Sequence, residues 1–199
     1  MEIFDELKDK FIKDYEDLVE IVKKAKAGGK TVVLTQGSYD IIHIGHARYL
    51  RQAKDNGDIV IVGIDGDSYT TERKGEGRPV IPQNERAEML LHLPYVDYVT
   101  LHTSKEDAIR LIKMIQPDVL VVSESTGGGF VEKMKQAYGG VCGEILGLPP
   151  QAETSTSAKV RLIFTQGMHK FRDHVNDLLG KVSKEVDTFV DGNKKGGES

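Results

Sequence analysis

Four short β-branched runs, each followed by a stretch with helical spacing, limit more than any other feature what this chain can fold into. Thr31-Val32-Val33-Leu34-Thr35, Ile59-Val60-Ile61-Val62, Val96-Asp97-Tyr98-Val99 and Val119-Leu120-Val121-Val122 are buried-strand candidates. Helix-like stretches lie between and after them, at Ala47 to Lys54, Asn84 to His92, Lys105 to Ile115 and Phe130 to Tyr138. Parallel neighbours need crossover connections, and those are usually helices. The alternation therefore predicts an α/β fold, a doubly wound parallel sheet covered on both faces. In such sheets ligands bind beyond the carboxyl ends of the strands where strand order reverses, which directs attention to the turn after the first strand.

Helical extensions flank this core. From Glu2 to Ala27 the residues Phe4, Leu7, Phe11, Tyr15, Leu18, Val19 and Val22 recur at spacings of three and four, with a stop at Gly28-Gly29. Such a helix either covers one face of the core or meets a second copy, and the sequence favours the first. Phe171, Val175, Leu178, Val182, Val186 and Phe189 predict a last amphipathic helix, and the apolar-free tail Asp191 to Ser199 is expected to be disordered. The expected organisation is an N-terminal helix at 1–29, a central domain at 30–165, a C-terminal helix at 166–190 and a tail at 191–199. At 199 residues the chain can bury one good core but not two.

Composition excludes several classes. No apolar run approaches the roughly 20 residues of a membrane span, and Met1-Glu2-Ile3-Phe4-Asp5 lacks the marks of a signal peptide, so a cytoplasmic protein without a membrane partner is expected. One cysteine, Cys142, permits no internal disulfide, and a net charge of -4 gives no general pull toward nucleic acid.

The turn after the first strand is Thr35-Gln36-Gly37-Ser38-Tyr39-Asp40-Ile41-Ile42-His43-Ile44-Gly45-His46. Gly37 admits a close backbone approach, and a helix beginning near His46 offers unpaired N–H groups and the positive end of its dipole to an anion. Two histidines three apart can both donate to one phosphate held above that helix end. Taken alone, H-x-G-H is a weak pattern; its position after a buried strand, behind Gly-x-x-Asp and at a helix start gives it weight. Metal ligation is a poorer reading, because neither a third histidine nor a cysteine stands nearby at metal-site spacing.

These residues resemble the signature Gly-x-Phe-Asp-x-x-His-x-Gly-His of the cytidylyltransferase-like nucleotidyltransferases, with Tyr39 in the Phe place. The likeness continues through Arg48 to Ala53, Val62 to Asp67, Lys74-Gly75-Glu76-Gly77-Arg78-Pro79-Val80 and Glu85 to Leu90, and covers roughly Lys30 to Phe164. Those stretches look most like bacterial heptose-phosphate adenylyltransferases, with glycerol-phosphate cytidylyltransferases more distant. The resemblance implies a Rossmann-like fold and transfer of a nucleoside monophosphate, AMP preferred, from an NTP to a small sugar or polyol phosphate, with release of pyrophosphate. His43, His46, Lys74 and Arg86 would be catalytic, with Lys74 on the glycine-rich loop and Arg86 aimed at the β- or γ-phosphate. Gly37, Ser38, Tyr39, Asp40, Gly45 and Asp65, with Ser155, Thr156 and Ser157 of a later Ser-Thr element, would surround nucleotide and acceptor.

Magnesium is implied as companion of the NTP, without dedicated protein ligands. ATP or CTP and a phosphorylated acceptor are the implied partners, and a homodimer through the terminal helices is a further expectation. Two departures bear on the acceptor: Val121 to Gly129 stands where the heptose-phosphate enzymes carry Lys-Gly-Gly-Asp-Tyr, and Pro149 to Glu153 lacks the arginine of the cytidylyltransferases. The rival readings are a CTP-dependent enzyme acting on an alcohol phosphate, a catalytically silent nucleotide-binding module, and a fragment of a class I aminoacyl-tRNA synthetase. The last is disfavoured by length and by the lack of a basic surface.

Overall fold

The computed structural model describes residues 5–124, 127–152 and 156–195. Five parallel strands, β1 (Val32–Gly37), β2 (Ile59–Asp65), β3 (Tyr98–His102), β4 (Val119–Ser123) and β5 (Glu144–Leu148), form one sheet in the order β3-β2-β1-β4-β5. Strand order reverses between β1 and β4, so the turn leaving β1 lies at the switch point where ligands of doubly wound sheets bind.

Alternation along β1 sorts the two faces. Val33 joins one buried cluster with Leu50, Ala53, Ala87 and Leu90, from α2 (Ile44–Lys54) and α4 (Gln83–Leu91). Val32 and Leu34 join the other with Leu18, Val22, Leu111 and Ile112, from α1 (Tyr15–Ala27) and α5 (Lys105–Ile115), and α6 (Phe130–Tyr138) packs partly against it. Near the amino ends of β1 and β2, backbone amides are met by carboxylates. Asp118 accepts from Val32 N at 2.8 Å and Asp97 from Val60 N at 2.7 Å.

Two elements were not expected. β5 has a half-exposed glycine and only two buried residues, and α3 (Asp67–Lys74) is too polar to show an apolar stripe. The expected single helix from Glu2 to Ala27 is broken into a 3-10 helix, Asp5–Lys10, and α1. Phe11 makes a parallel bridge with Val99, and Ile12 N donates to Val99 O, which covers the free edge of β3. Asp14 then caps α1 by accepting from Glu16 N. Of the two uses foreseen for this extension, covering the core is the observed one: Tyr15, Leu18 and Val22 are buried against the sheet.

The chain divides into two units, residues 1–153 and 154–199. The second contains α7, Thr156–Lys195, a single helix of 40 residues. It begins ahead of the boundary expected at 165/166, since no breaker stands between Thr156 and Gly167. It also takes in Asp191–Lys195, where a disordered tail was expected, because extending a formed helix adds a hydrogen bond for each residue ordered. Among the described residues no helix is long and apolar enough to cross a membrane.

Leu18 is fully buried under the sheet, and Leu18→Ala is expected to lower the unfolding free energy by about 2–5 kcal/mol. Urea denaturation at two protein concentrations checks this, with the same loss at both if α1 serves the core and not a dimer.

Candidate active site

Histidine takes the place at the start of α2 that Ser or Asp usually fills. His43 is the N-cap residue, with extended backbone, and its Nδ1 accepts from Gly45 N at 3.0 Å. His46 Nδ1 accepts from His43 N at 3.4 Å, and the two rings lie 4.2 Å apart by centroid at 31°. A neutral imidazole that accepts at Nδ1 carries its proton on Nε2. Both rings therefore present the Nε2–H tautomer at the amino end of a helix, where backbone N–H groups already favour an anion.

Burial pulls the His46 pKa down to about 4, helped by the neighbouring His43 and by the Lys74 charge. At neutral pH His46 is thus a hydrogen-bond donor, not a cation. Gly45 has its own reason: a Cβ there would lie 2.8 Å from the His43 ring and 2.9 Å from Ala152 Cβ, so the chain beyond β5 passes directly over the start of α2. Gly37 makes room for Tyr39, whose ring would stand 3.2 Å from an added Cβ. Tyr39 is buried with φ of 45°, its ring 5.4 Å from that of His46.

The remaining expected residues form a buried polar frame under the histidines. Asp40 accepts from Val80 N at 2.8 Å, from Ile81 N at 3.0 Å and from the Arg78 guanidinium. Burial alone would raise its pKa, but the Ile81 amide, Arg78 and the Val80 amide outweigh that and hold it below the usual value. Asp65 accepts from Ser38 Oγ at 2.6 Å, from Arg73, and from His102 Nε2 at 2.7 Å. Burial again opposes ionisation and is overcome by His102, Ser38 and Arg73.

Arg86, expected to face a phosphate, points inward instead. Its side chain is fully buried, with Nε donating to Ile81 O at 2.9 Å, one terminal nitrogen to Ser38 O and the other to Asp67 Oδ1 at 2.7 Å. Its donor fork is occupied by the protein, because α4 packs its inner face against the β1 turn.

Lys74 ends α3, ahead of Gly75 and Gly77, which both have positive φ, so the glycine-rich loop starts just after it. Its charge is felt at His46, and those of Asp65 and Asp40 are felt at Lys74. Partial desolvation, with Arg73 and Arg78 nearby, lowers its pKa. Each arginine here is matched to an aspartate: Arg73 to Asp65, Arg78 to Asp40, Arg86 to Asp67. Among the described residues Lys74 has no ion pair.

Ser155 lies outside the described residues, as do the side chains of Thr156 and Ser157. The segment just before them is anchored on α2, with Gln52 Nε2 donating to Gln151 Oε1 at 2.7 Å. Arg73, Arg78 and His102 escaped the reading of the sequence. Arg78 had a signal in the Gly-Glu-Gly-Arg-Pro run, whereas His102 reaches Asp65 only through the β2–β3 register. Among the described residues no group of three His, Cys, Asp or Glu side chains is placed to hold a metal, and both buried aspartates are committed to arginines.

His46 should titrate near 4 by NMR. The unfolded chain takes up that proton near 6.5, so the stability linked to it is complete above 6.5 and is lost as pH falls toward 4. His46→Asn is expected to flatten the pH dependence of urea stability across that window. Arg86→Met leaves two carbonyls unpaired and should cost about 2–4 kcal/mol of stability. A variant with unchanged stability and weakened NTP binding would restore the phosphate-facing reading.

Comparison with known proteins places this geometry. The cytidylyltransferase-like family model matches residues 34–159, which include the β1 turn, Lys74 and Arg86. The chain is 42% identical over 113 residues to the bifunctional protein HldE of a Nitratiruptor species, covering 57% of this chain and 24% of that one. It is 34% identical over 156 residues to HldE of Geotalea uraniireducens, covering 75% and 31%. The matched region thus spans about a quarter to a third of these relatives. The lipopolysaccharide core biosynthesis protein of Thermoplasma volcanium superposes with a TM-score of 0.52 at 25% identity, over 61% of this chain and 98% of that one. Pantoate-beta-alanine ligase from Francisella tularensis, solved with beta-gamma ATP and beta-alanine, shares the fold, with a TM-score of 0.54 at 14% identity over 74% and 68% of the two chains. The chain belongs to the cytidylyltransferase-like family of nucleotidyltransferases.

Proposed function

We propose that this nucleotidyltransferase transfers AMP from ATP to the phosphate of a small sugar phosphate. An acceptor phosphate oxygen attacks the α-phosphorus, the bond from that phosphorus to the bridging oxygen breaks, and pyrophosphate leaves with the electron pair. The observation that carries this reading is the pair of imidazoles at the amino end of α2 whose Nδ1 atoms both accept from backbone amides, beside a lysine without an ion pair among the described residues. Donors already fixed where charge develops need no reorganisation during the step.

In this scheme His43 and His46 hold the triphosphate at the α-phosphorus, and Lys74 reaches across the phosphates and offsets repulsion between two anionic substrates. Gly37, Gly45 and Tyr39 shape the cradle. Asp40, Asp65, Ser38 and Arg86 act as positioning residues beneath it. Magnesium fits as a companion of the triphosphate, neutralising it while bound mainly by phosphate and water, since both buried aspartates are engaged elsewhere.

The preference for ATP and a sugar phosphate rests on the likeness of the Lys74 to Leu90 stretch to heptose-phosphate adenylyltransferases. The similarity to the Thermoplasma protein of lipopolysaccharide core biosynthesis agrees with it. Ser123 and Glu124 at the end of β4 give this chain an acceptor side without the lysine of those enzymes.

Pyrophosphate release with magnesium, each of the four NTPs and a panel of sugar and polyol phosphates tests the proposal. ATP with a sugar phosphate should stand above background, and His46→Ala should cut kcat about 10²–10³-fold. Turnover with CTP and an alcohol phosphate would move the chain to the cytidylyltransferase reading. NTP binding without turnover on any acceptor would favour the silent module.

A further inference from the structure

Helix α7 carries an apolar stripe with its own periodicity. Phe164, Met168, Phe171, Val175, Leu178 and Val182 follow one another at steps of four, three, four, three and four. This is the a/d seam of a coiled coil, with Val175 and Val182 at one core position and Phe171 and Leu178 at the other. The next step is again four, to Val186, a stutter that locally unwinds a supercoil. Leu179 lies beside Leu178 and broadens the seam.

Apart from Val175, which is partly covered, these side chains are open: Phe164 is 68% exposed, Phe171 63%, Val182 57% and Leu178 48%. At roughly 100 Å² for each of the seven exposed ones from Phe164 to Val186, one helix leaves on the order of 700 Å² of apolar surface. That exceeds the patch usual on a monomer, and two such faces together bury on the order of 1,400 Å², the area of a standard stable interface.

The rest of the chain has no matching surface among the described residues. The apolar sides of α1, α2, α4 and α5 are spent in the two core clusters. Among the described residues of the first unit, the large hydrophobics left exposed are Ile44 on α2, Val80 in the loop before α4 and Met89 on α4. The surface with the same length and spacing as the stripe is the stripe itself on another copy. We propose that α7 pairs with α7 of a second copy, seam to seam, as a coiled coil. The pairing is independent of the chemistry assigned to the first unit.

Sedimentation equilibrium of the full chain at micromolar concentration tests it. The expected mass is twice that of one chain, and the double variant Phe171→Lys, Leu178→Lys should return it to one. The His46 titration of that variant should stay near 4, which reports that the first unit remains folded. A single-chain mass for the unmodified protein would overturn the proposal, whether it stays in solution or sediments with anionic phospholipid vesicles. A dimer that survives the double variant would overturn it as well, by assigning association to another surface.

Discussion

A guanidinium with no exposure to water, that of Arg86, ties together the segments on which the rest of the site depends. Burying such a charge is costly unless its donors are met, and here they are met by Ser38 O, Ile81 O and Asp67. Those acceptors belong to the turn after β1, the loop before α4 and the start of α3. Ile81 is held at both ends, its carbonyl by Arg86 and its amide by Asp40 from the opposite side. Asp65 adds a third tie, joining the same turn through Ser38 to α3 through Arg73 and to β3 through His102. A displacement of any one segment would leave a buried polar group without its partner.

This frame also decides where free charge remains. Three arginines are cancelled in pairs by three aspartates, which leaves the polar frame beside the β1 turn close to neutral. Lys74, which has no ion pair among the described residues, stands at a helix end followed by two glycines with positive φ. His46 stays uncharged because it is enclosed and lies near the Lys74 charge. An arriving phosphate would reverse that balance, since a nearby anion favours the protonated ring.

Much of this was open to a reading of the residues alone. Strand and helix periodicities located four of the five strands and both ends of α5 and α6, because buried faces leave a hydrophobic pattern along the chain. Where burial is one-sided or slight the pattern fades, and β5 and α3 were missed for that reason. The break at Phe11 was hidden because its helical spacing continues through a residue whose backbone pairs with β3. Spacing and position singled out the histidine pair and the β1 turn, whereas Lys74 was singled out only through the family resemblance.

By itself, the sequence determined the α/β class and the standing of two histidines at the start of the helix after the first strand, since each follows from local order along the chain. Only the tertiary structure decided that Arg86 faces inward, that His102 joins Asp65, and that Asp40 serves the loop at Val80 and Ile81. These partners stand between 5 and 48 residues apart. Their pairing depends on how strands and helices pack and on which polar groups that packing removes from water, and neither is written in any local stretch of the chain.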